Sequence, residues 1–219
     1  LIMLHFPEST AFGRRIPKTK FYENLSVTPQ LKRVFVEQIS QIIWQNKIAP
    51  GTVNIAPGET VNEIQVIAIR LNQPKLDQKI LELIDREIPY HLLFLLEYGD
   101  RLQAWIAWKE AGKTSAFKSG KYYHTEWLAP EGLTLRLEGL TMDAVYESLI
   151  RQIAGEALER DSDTDAGDIK KAISRDERRQ KLQREIAALE NRIHREKQFN
   201  RQVELNAALK RLKKEWETI

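Results

Sequence analysis

The chain has 219 residues, no cysteine, 42% hydrophobic residues and a formal net charge of +3. That length holds one ordinary domain plus an appendage, and the apolar content excludes a wholly disordered chain. The missing cysteines exclude a disulfide scaffold and thiol chemistry, and fit a reducing, cytoplasmic setting.

Charge is unevenly placed. Residues 159–219 carry sixteen Lys and Arg against thirteen Asp and Glu, so the first 158 residues are balanced at eighteen of each. The excess lies in the C-terminal quarter and says little about a basic groove in the body. The longest strongly apolar run, Leu92 to Leu96, is far short of the roughly 20 residues a membrane helix needs, so no membrane partner is expected. Leu1 to Pro7 is too short for a signal peptide before Glu8 and Arg14 intervene.

The first predicted element is a helix over about 29–46. Thr28 is its cap and Pro29 its first turn, and Leu31, Val34, Phe35, Ile39, Ile42 and Ile43 recur at helical spacing. Glu63 to Leu71 alternates as a strand with apolar residues on both faces. Pro74 opens a helix burying Leu76, Ile80, Leu83 and Ile84, and Pro89 stops it. Tyr90–Tyr98 and Arg101–Lys109, joined by Gly99-Asp100, read as a hairpin, followed by strands over 121–128 and about 133–137. A helix over about 143–158, with Val145, Leu149, Ile153 and Ala157 on one face, closes the body. Short connections between strands predict an α+β domain over 1–158: a mainly antiparallel sheet with helices packed on one side.

Residues 159–168, acidic and small, read as a linker, and 169–219 as a charged helical arm without Gly or Pro. Leu182, Ile186, Leu189 and Ile193 are spaced 4, 3, 4, as in a coiled-coil seam. Leu205, Leu209, Leu212, Trp216 and Ile219 resume the pattern. The second stripe is out of phase with the first by roughly 130°. Either one continuous helix offers two faces or the arm folds back near Phe199-Asn200; the absence of a breaker favours continuity.

Several familiar chemistries fail on inspection. Gly112-Lys113-Thr114 lacks the earlier glycine of a phosphate loop, since that position is Ala107. Asp161, Asp163 and Asp165 lack the glycine and glutamate of a calcium loop, which fall on Ala166 and Ala172. Glu97 and Glu110 stand at strand ends with Lys109 nearby, but no acidic-x-Lys pair lies on a strand; Asp77-Gln78-Lys79 has that spacing on a helix. No metal site and no cofactor is expected.

Two clusters remain. Tyr122, His124 and Glu126 share one face of a strand; with His91 and Glu97 they form the candidate acid–base or binding group. The plainer alternative is aromatic packing around a hydrogen-bonded histidine. Basic stretches with interleaved aromatics make Arg14, Arg15, Lys18 and Lys20, and Lys113, Lys118 and Lys121, the candidate nucleic-acid contacts.

Arg15-Ile16-Pro17-Lys18 with Phe21-Tyr22, Glu59-Thr60 through Glu63-Ile64, Ile84-Asp85-Arg86-Glu87-Ile88-Pro89-Tyr90-His91, Tyr122 to Trp127, and Phe199 to Asn206 occur in an order that resembles a bacterial family known only as a domain of unknown function. The resemblance covers nearly the whole chain. It implies genes beside adenine-specific DNA methyltransferases and helicase-type proteins, in restriction or antiphage-defence loci. It brings no catalytic residues. The chain lacks the Asp/Asn-Pro-Pro-Tyr loop of such a methyltransferase and any helicase phosphate loop, so service in such a complex would be by binding.

The expectation is therefore a non-catalytic accessory subunit, with Leu182, Ile186, Leu189, Ile193, Leu205, Leu209, Leu212 and Trp216 engaging a larger protein (a methyltransferase or helicase) or a second copy. The alternative is a DNA-binding or nuclease-like module built on His124 and Glu126.

Overall fold

A computed structural model describes residues 6–22, 27–110, 118–159 and 168–219. Two compact units divide the chain, 1–155 and 156–219.

In the first unit, six strands form one sheet in chain order: β1 (Ala11–Ile16), β2 (Ile39–Ile48), β3 (Ile64–Leu71), β4 (His91–Tyr98), β5 (Arg101–Glu110) and β6 (Lys118–His124). Every neighbouring pair is antiparallel except β3 and β4, which run parallel because helix α2 (Gln78–Glu87) carries the chain back across the sheet. The mixed sheet with helices is the expected α+β class.

Asp77 caps α2 by accepting from the Lys79 N–H at 3.0 Å, which accounts for the Asp77-Gln78-Lys79 spacing. The β4–β5 turn places Gly99 at φ +59°, a conformation that favours glycine.

Four expectations for this unit are corrected. The predicted 29–46 helix is α1 (Pro29–Gln38) followed directly by β2. Thr28 caps α1 as expected, its hydroxyl accepting from Leu31 N–H at 3.2 Å. The later isoleucines kept an apparent helical phase, but they are β-branched and pair with Ile69, Ala68 and Leu71 of β3. The basic stretch around Arg14 to Lys20, given no secondary structure from the sequence, begins in β1, which is bulged where Gly13 takes φ +62°. Residues 133–137 form no strand; Leu133 and Leu135 are simply buried from a loop.

Fourth, helices cover both faces. One face packs Phe35 of α1 and Ile80, Leu81 and Ile84 of α2 against Ile67, Ile69, Phe94 and Leu96. The other carries Leu93, Leu95, Ala104 and Ile106, alternate residues of the same strands, and receives α3 (Met142–Ala154). Burial of each such Leu or Ile stabilises by about 1.5–3 kcal/mol. The predicted 143–158 helix breaks at Gly155, φ +51°, where α4 (Glu156–Glu159) begins the second unit.

Asp143 in the first turn of α3 ties down the loop before β3. Its carboxylate accepts from Thr60 N–H at 3.1 Å, Thr60 Oγ1 at 2.7 Å, Val61 N–H at 2.8 Å and the Glu59 N–H. Partial burial works to raise its pKa, but these donors outweigh it and hold the carboxyl below the usual aspartate value. Asp143→Ala is expected to cost about 2 kcal/mol by thermal melting, because charge-assisted bonds to several N–H groups are lost together.

The second unit holds α4, α5 (Ile169–Arg195) and α6 (Phe199–Thr218). The arm is a hairpin rather than one continuous helix. The break at Glu196–Gln198 needs no glycine: the Glu196 carboxylate accepts from Lys197 N–H at 2.9 Å and Gln198 N–H at 3.0 Å. Gln202 Nε2 also donates to Glu196 O at 2.6 Å. Helices α5 and α6 pack together, joined by Arg178 to Glu215 and by Lys213 to Glu190 at 2.7 Å. The proposed linker, apart from its ends at Glu159 and Asp168, lies outside the described residues, as do Gly112-Lys113-Thr114 and Asp161, Asp163 and Asp165.

Candidate functional site

The structure does not bring His91, Glu97, His124 and Glu126 of the predicted acid–base group together. His91 opens β4 on the α3 side, its ring meeting Tyr146 edge-on at 4.5 Å. His124 ends β6 opposite Trp105 on the α2 side, stacked on that indole at 4.3 Å. Glu126 is exposed beyond the strand, and Glu97 pairs with Arg70 at 3.1 Å near the far end of β4. The shared face expected for His91 and His124 is therefore corrected: odd and even strand positions look in opposite directions. His124 is anchored by its neighbours, its Nδ1 lying 2.9 Å from Thr125 O and 3.3 Å from Gln103 Nε2. Among the described residues no three His, Asp or Glu side chains are grouped to hold a metal.

A different polar centre occupies the α2 side. Asp85 sits on the buried face of α2, where helical spacing from Leu81 and Ile84 directs it at the sheet. Its Oδ1 lies 2.7 Å from Lys109 Nζ, both side chains being 1% exposed, and its Oδ2 accepts from Tyr122 Oη at 2.9 Å. Lys109 also donates to Tyr90 O at 2.5 Å and Asp85 O at 3.4 Å. Burial lowers the Lys109 pKa from its ordinary value, against the pull of Asp85. This arrangement satisfies a buried ion pair and pins the α2–β4 connection to the sheet. Neither charged side chain reaches solvent.

Across the sheet, Tyr146 donates its hydroxyl to Ala107 O, and burial with the nearby Asp85 charge holds its pKa well above the phenol value. Burial, helped by the Lys109 charge and opposed by Asp143, brings His91 down to about 4. Both groups are neutral at physiological pH.

The pinned α2–β4 connection forms one wall of a cavity of about 320 Å³. Trp44, Tyr90, Phe21, Ile67 and Ile88 supply its apolar surface, with Lys20 and Glu87 also in the lining. Trp44 is held from two directions. Its Nε1 donates to Gln65 Oε1 at 2.7 Å, and its ring lies 4.4 Å from that of Phe12. Gln65 in turn donates to Glu63, which pairs with Lys47 at 2.9 Å. The sequence reading missed Trp44, Tyr90 and Asp85; Trp44 fell inside the over-extended helix, where its strand-face alternation was hidden.

The predicted nucleic-acid residues separate into groups. Arg14 lies on β1 opposite Trp44, its guanidinium 4.7 Å over the Phe12 ring, whereas Arg15 pairs with Ile43 one position on. Lys18 is committed to Ile39 O at 2.6 Å, and Lys20 is exposed beside the cavity. Lys121 stands over the Tyr123 ring at 4.7 Å. Lys113 lies outside the described residues; Lys118 is placed in β6 by its backbone alone.

In the helical hairpin, Leu182 is buried, Ile186, Leu189, Ile193, Leu205, Leu209 and Leu212 are half-buried, and Trp216 is 41% exposed. The two stripes are thus the less exposed faces of helices that pack together, and the phase slip between them falls at the turn. Phe199 and Val203, 76% and 53% exposed, stand outside that seam one helical turn apart. No helix of the described residues is long and apolar enough to cross a membrane.

Residues 4–215 match the family described as a domain of unknown function, DUF4391, and the chain belongs to that family. No curated protein and no solved structure matches it.

Proposed function

We propose that this member of the DUF4391 family is a non-catalytic interaction subunit that joins a larger enzyme of a DNA-modification or defence-type complex through its helical hairpin. The observation that carries this reading is the exposure of Phe199 and Val203 on the α5–α6 hairpin, whose leucine and isoleucine stripes are the less exposed faces of its two packed helices. Two large apolar residues one turn apart, outside any seam of their own unit, are suited to insertion into a partner's groove. Support also comes from the globular unit, where His91 and His124 lie on opposite faces and the buried Asp85 and Lys109 neutralise each other. The methyltransferase or helicase identity of the partner follows from the gene neighbourhood that the family resemblance implies.

The test is affinity purification of the full chain from its own cells, with wild type beside Phe199→Glu/Val203→Lys. The double variant is expected to lose a stoichiometric partner carrying a methyltransferase or helicase domain while its helical circular dichroism is unchanged. A partner retained at full stoichiometry by the variant removes the hairpin tip from the assembly.

A second reading is an enzyme centred on His124 and Glu126. It is favoured only by their exposure at the end of β6. Metal-dependent cleavage of DNA that disappears in His124→Ala would establish it over the first.

A further inference from the structure

The cavity beside β1 has the chemistry of a base-binding pocket. Its walls are aromatic and aliphatic, with Trp44 braced by Gln65 and Phe12 and Tyr90 half-exposed on the α2–β4 connection. A phosphate would be poorly served inside, because the lining is mostly apolar and includes the Glu87 carboxylate. A planar, polarisable ring with an amino edge suits it better: it can lie against the indole and phenol faces while Glu87 accepts from an exocyclic amine.

The surroundings supply the complementary charge. From Ser9 to Tyr22 the chain has no acidic residue. Arg14 and Lys20 are both exposed, and neither is ion-paired among the described residues. Arg14 lies on the strand that pairs with Trp44, and Lys20 lies in the cavity lining. Cations beside an aromatic slot are the arrangement by which proteins hold single strands: the ring stacks and the backbone is neutralised. A duplex keeps its bases stacked and paired and cannot offer one without added cost.

We propose that this cavity takes one unpaired base of a single-stranded nucleic acid, with Trp44 and Tyr90 as stacking surfaces and Arg14 and Lys20 contacting the adjoining phosphates. Its lining residues all belong to the first unit. It would give a non-catalytic subunit a direct hold on a strand that its partner has opened.

The experiment is fluorescence anisotropy of labelled dA, dC and dT decamers and of a 20-base-pair duplex, titrated with the full chain at several salt concentrations. Decamers are expected to bind more tightly than the duplex, with affinity falling as salt rises. Trp44→Ala and Tyr90→Ala should each weaken decamer binding about tenfold or more, in line with measured base–aromatic stacking. Tyr90→Phe should retain binding, which separates loss of the ring from loss of the fold, and melting curves check Trp44→Ala directly. Arg14→Ala/Lys20→Ala should flatten the salt dependence, and Glu87→Gln should narrow the preference for dA and dC over dT. No decamer binding, duplex binding at least as tight, or binding untouched by both ring-removing variants would overturn the proposal. So would displacement of an apolar dye from the cavity by a hydrophobic peptide but by no decamer, since the slot would then be a protein-docking pocket.

Discussion

Replacing Lys109 with methionine will destabilise the globular unit by about 3–5 kcal/mol, read as a lowered urea midpoint at unchanged slope. The ammonium stands 2.7 Å from Asp85 Oδ1, and both side chains are 1% exposed. Methionine fills much the same volume but strips Oδ1 of that opposing charge, leaving a carboxylate inside the protein with the Tyr122 hydroxyl still on its Oδ2. Water cannot compensate without opening the contact between α2 and the sheet. Taking both charges away has a different consequence. Asp85→Leu/Lys109→Met should recover most of the loss, because a buried pair is often no better than apolar residues of similar size. The single variant thus measures the cost of stranding a charge, and the double variant the net worth of the pair. A single-variant loss under about 1 kcal/mol would mean that movement of α2 relieves the stranded carboxylate.

Acidification from pH 6.5 to pH 4 will remove about 3 kcal/mol of stability through His91 alone, since each pKa unit is worth about 1.36 kcal/mol. Its pKa is brought from 6.5 to about 4 chiefly by burial, with the Lys109 charge adding to the effect. The sign follows from proton counting. Below 6.5 the unfolded chain takes up a proton on this imidazole while the folded chain does not, so unfolding gains on folding. Stability is therefore full above pH 6.5 and is lost progressively as pH falls towards 4. Asp143 titrates below its ordinary 3.8, so its contribution is lost in a lower and separate window. His91→Leu should keep most of the pH 7 stability and flatten the profile between pH 6.5 and 4. Urea midpoints at half-unit steps measure both; parallel profiles for the two proteins would place the acid sensitivity elsewhere.

What could be read from the sequence depended on how local the cause was. Helix α2 was legible from the spacing of Ile80, Leu83 and Ile84 and from Pro89 after it, although it starts at Gln78, capped by Asp77, and not at Pro74; the β4–β5 hairpin was legible because Gly99 supplies the turn. Strand β1 was not. Phe12-Gly13-Arg14-Arg15 is short and charged, and only pairing with β2 makes it a strand. The boundary between α1 and β2 was blurred because Phe35, Ile39 and Ile42 are all buried in one core and happen to fit both periods. The Asp85–Lys109 pair joins residues 24 positions apart and exists only once α2 has docked. In the arm, the signal was present and misweighed. The 12-residue step from Ile193 to Leu205 was the trace of a turn that the Glu196 carboxylate closes without glycine or proline.

The sheet has two ends, and β1 governs one of them. Beneath it lies β2, ten residues long with Ile39, Ile42 and Ile48 fully buried. Left uncovered, such a strand would offer a long ladder of N–H and C=O groups to any similar neighbour, the usual starting point for fibrous self-association. Strand β1 satisfies that ladder and then makes itself a poor template: it is six residues long, bulged at Gly13, charged at Arg14 and Arg15, and followed by Pro17. Arg14, the cation of this strand that would greet a nucleic acid, thus also helps to keep the edge from self-association, so neutralising it to weaken the one role carries a cost in the other.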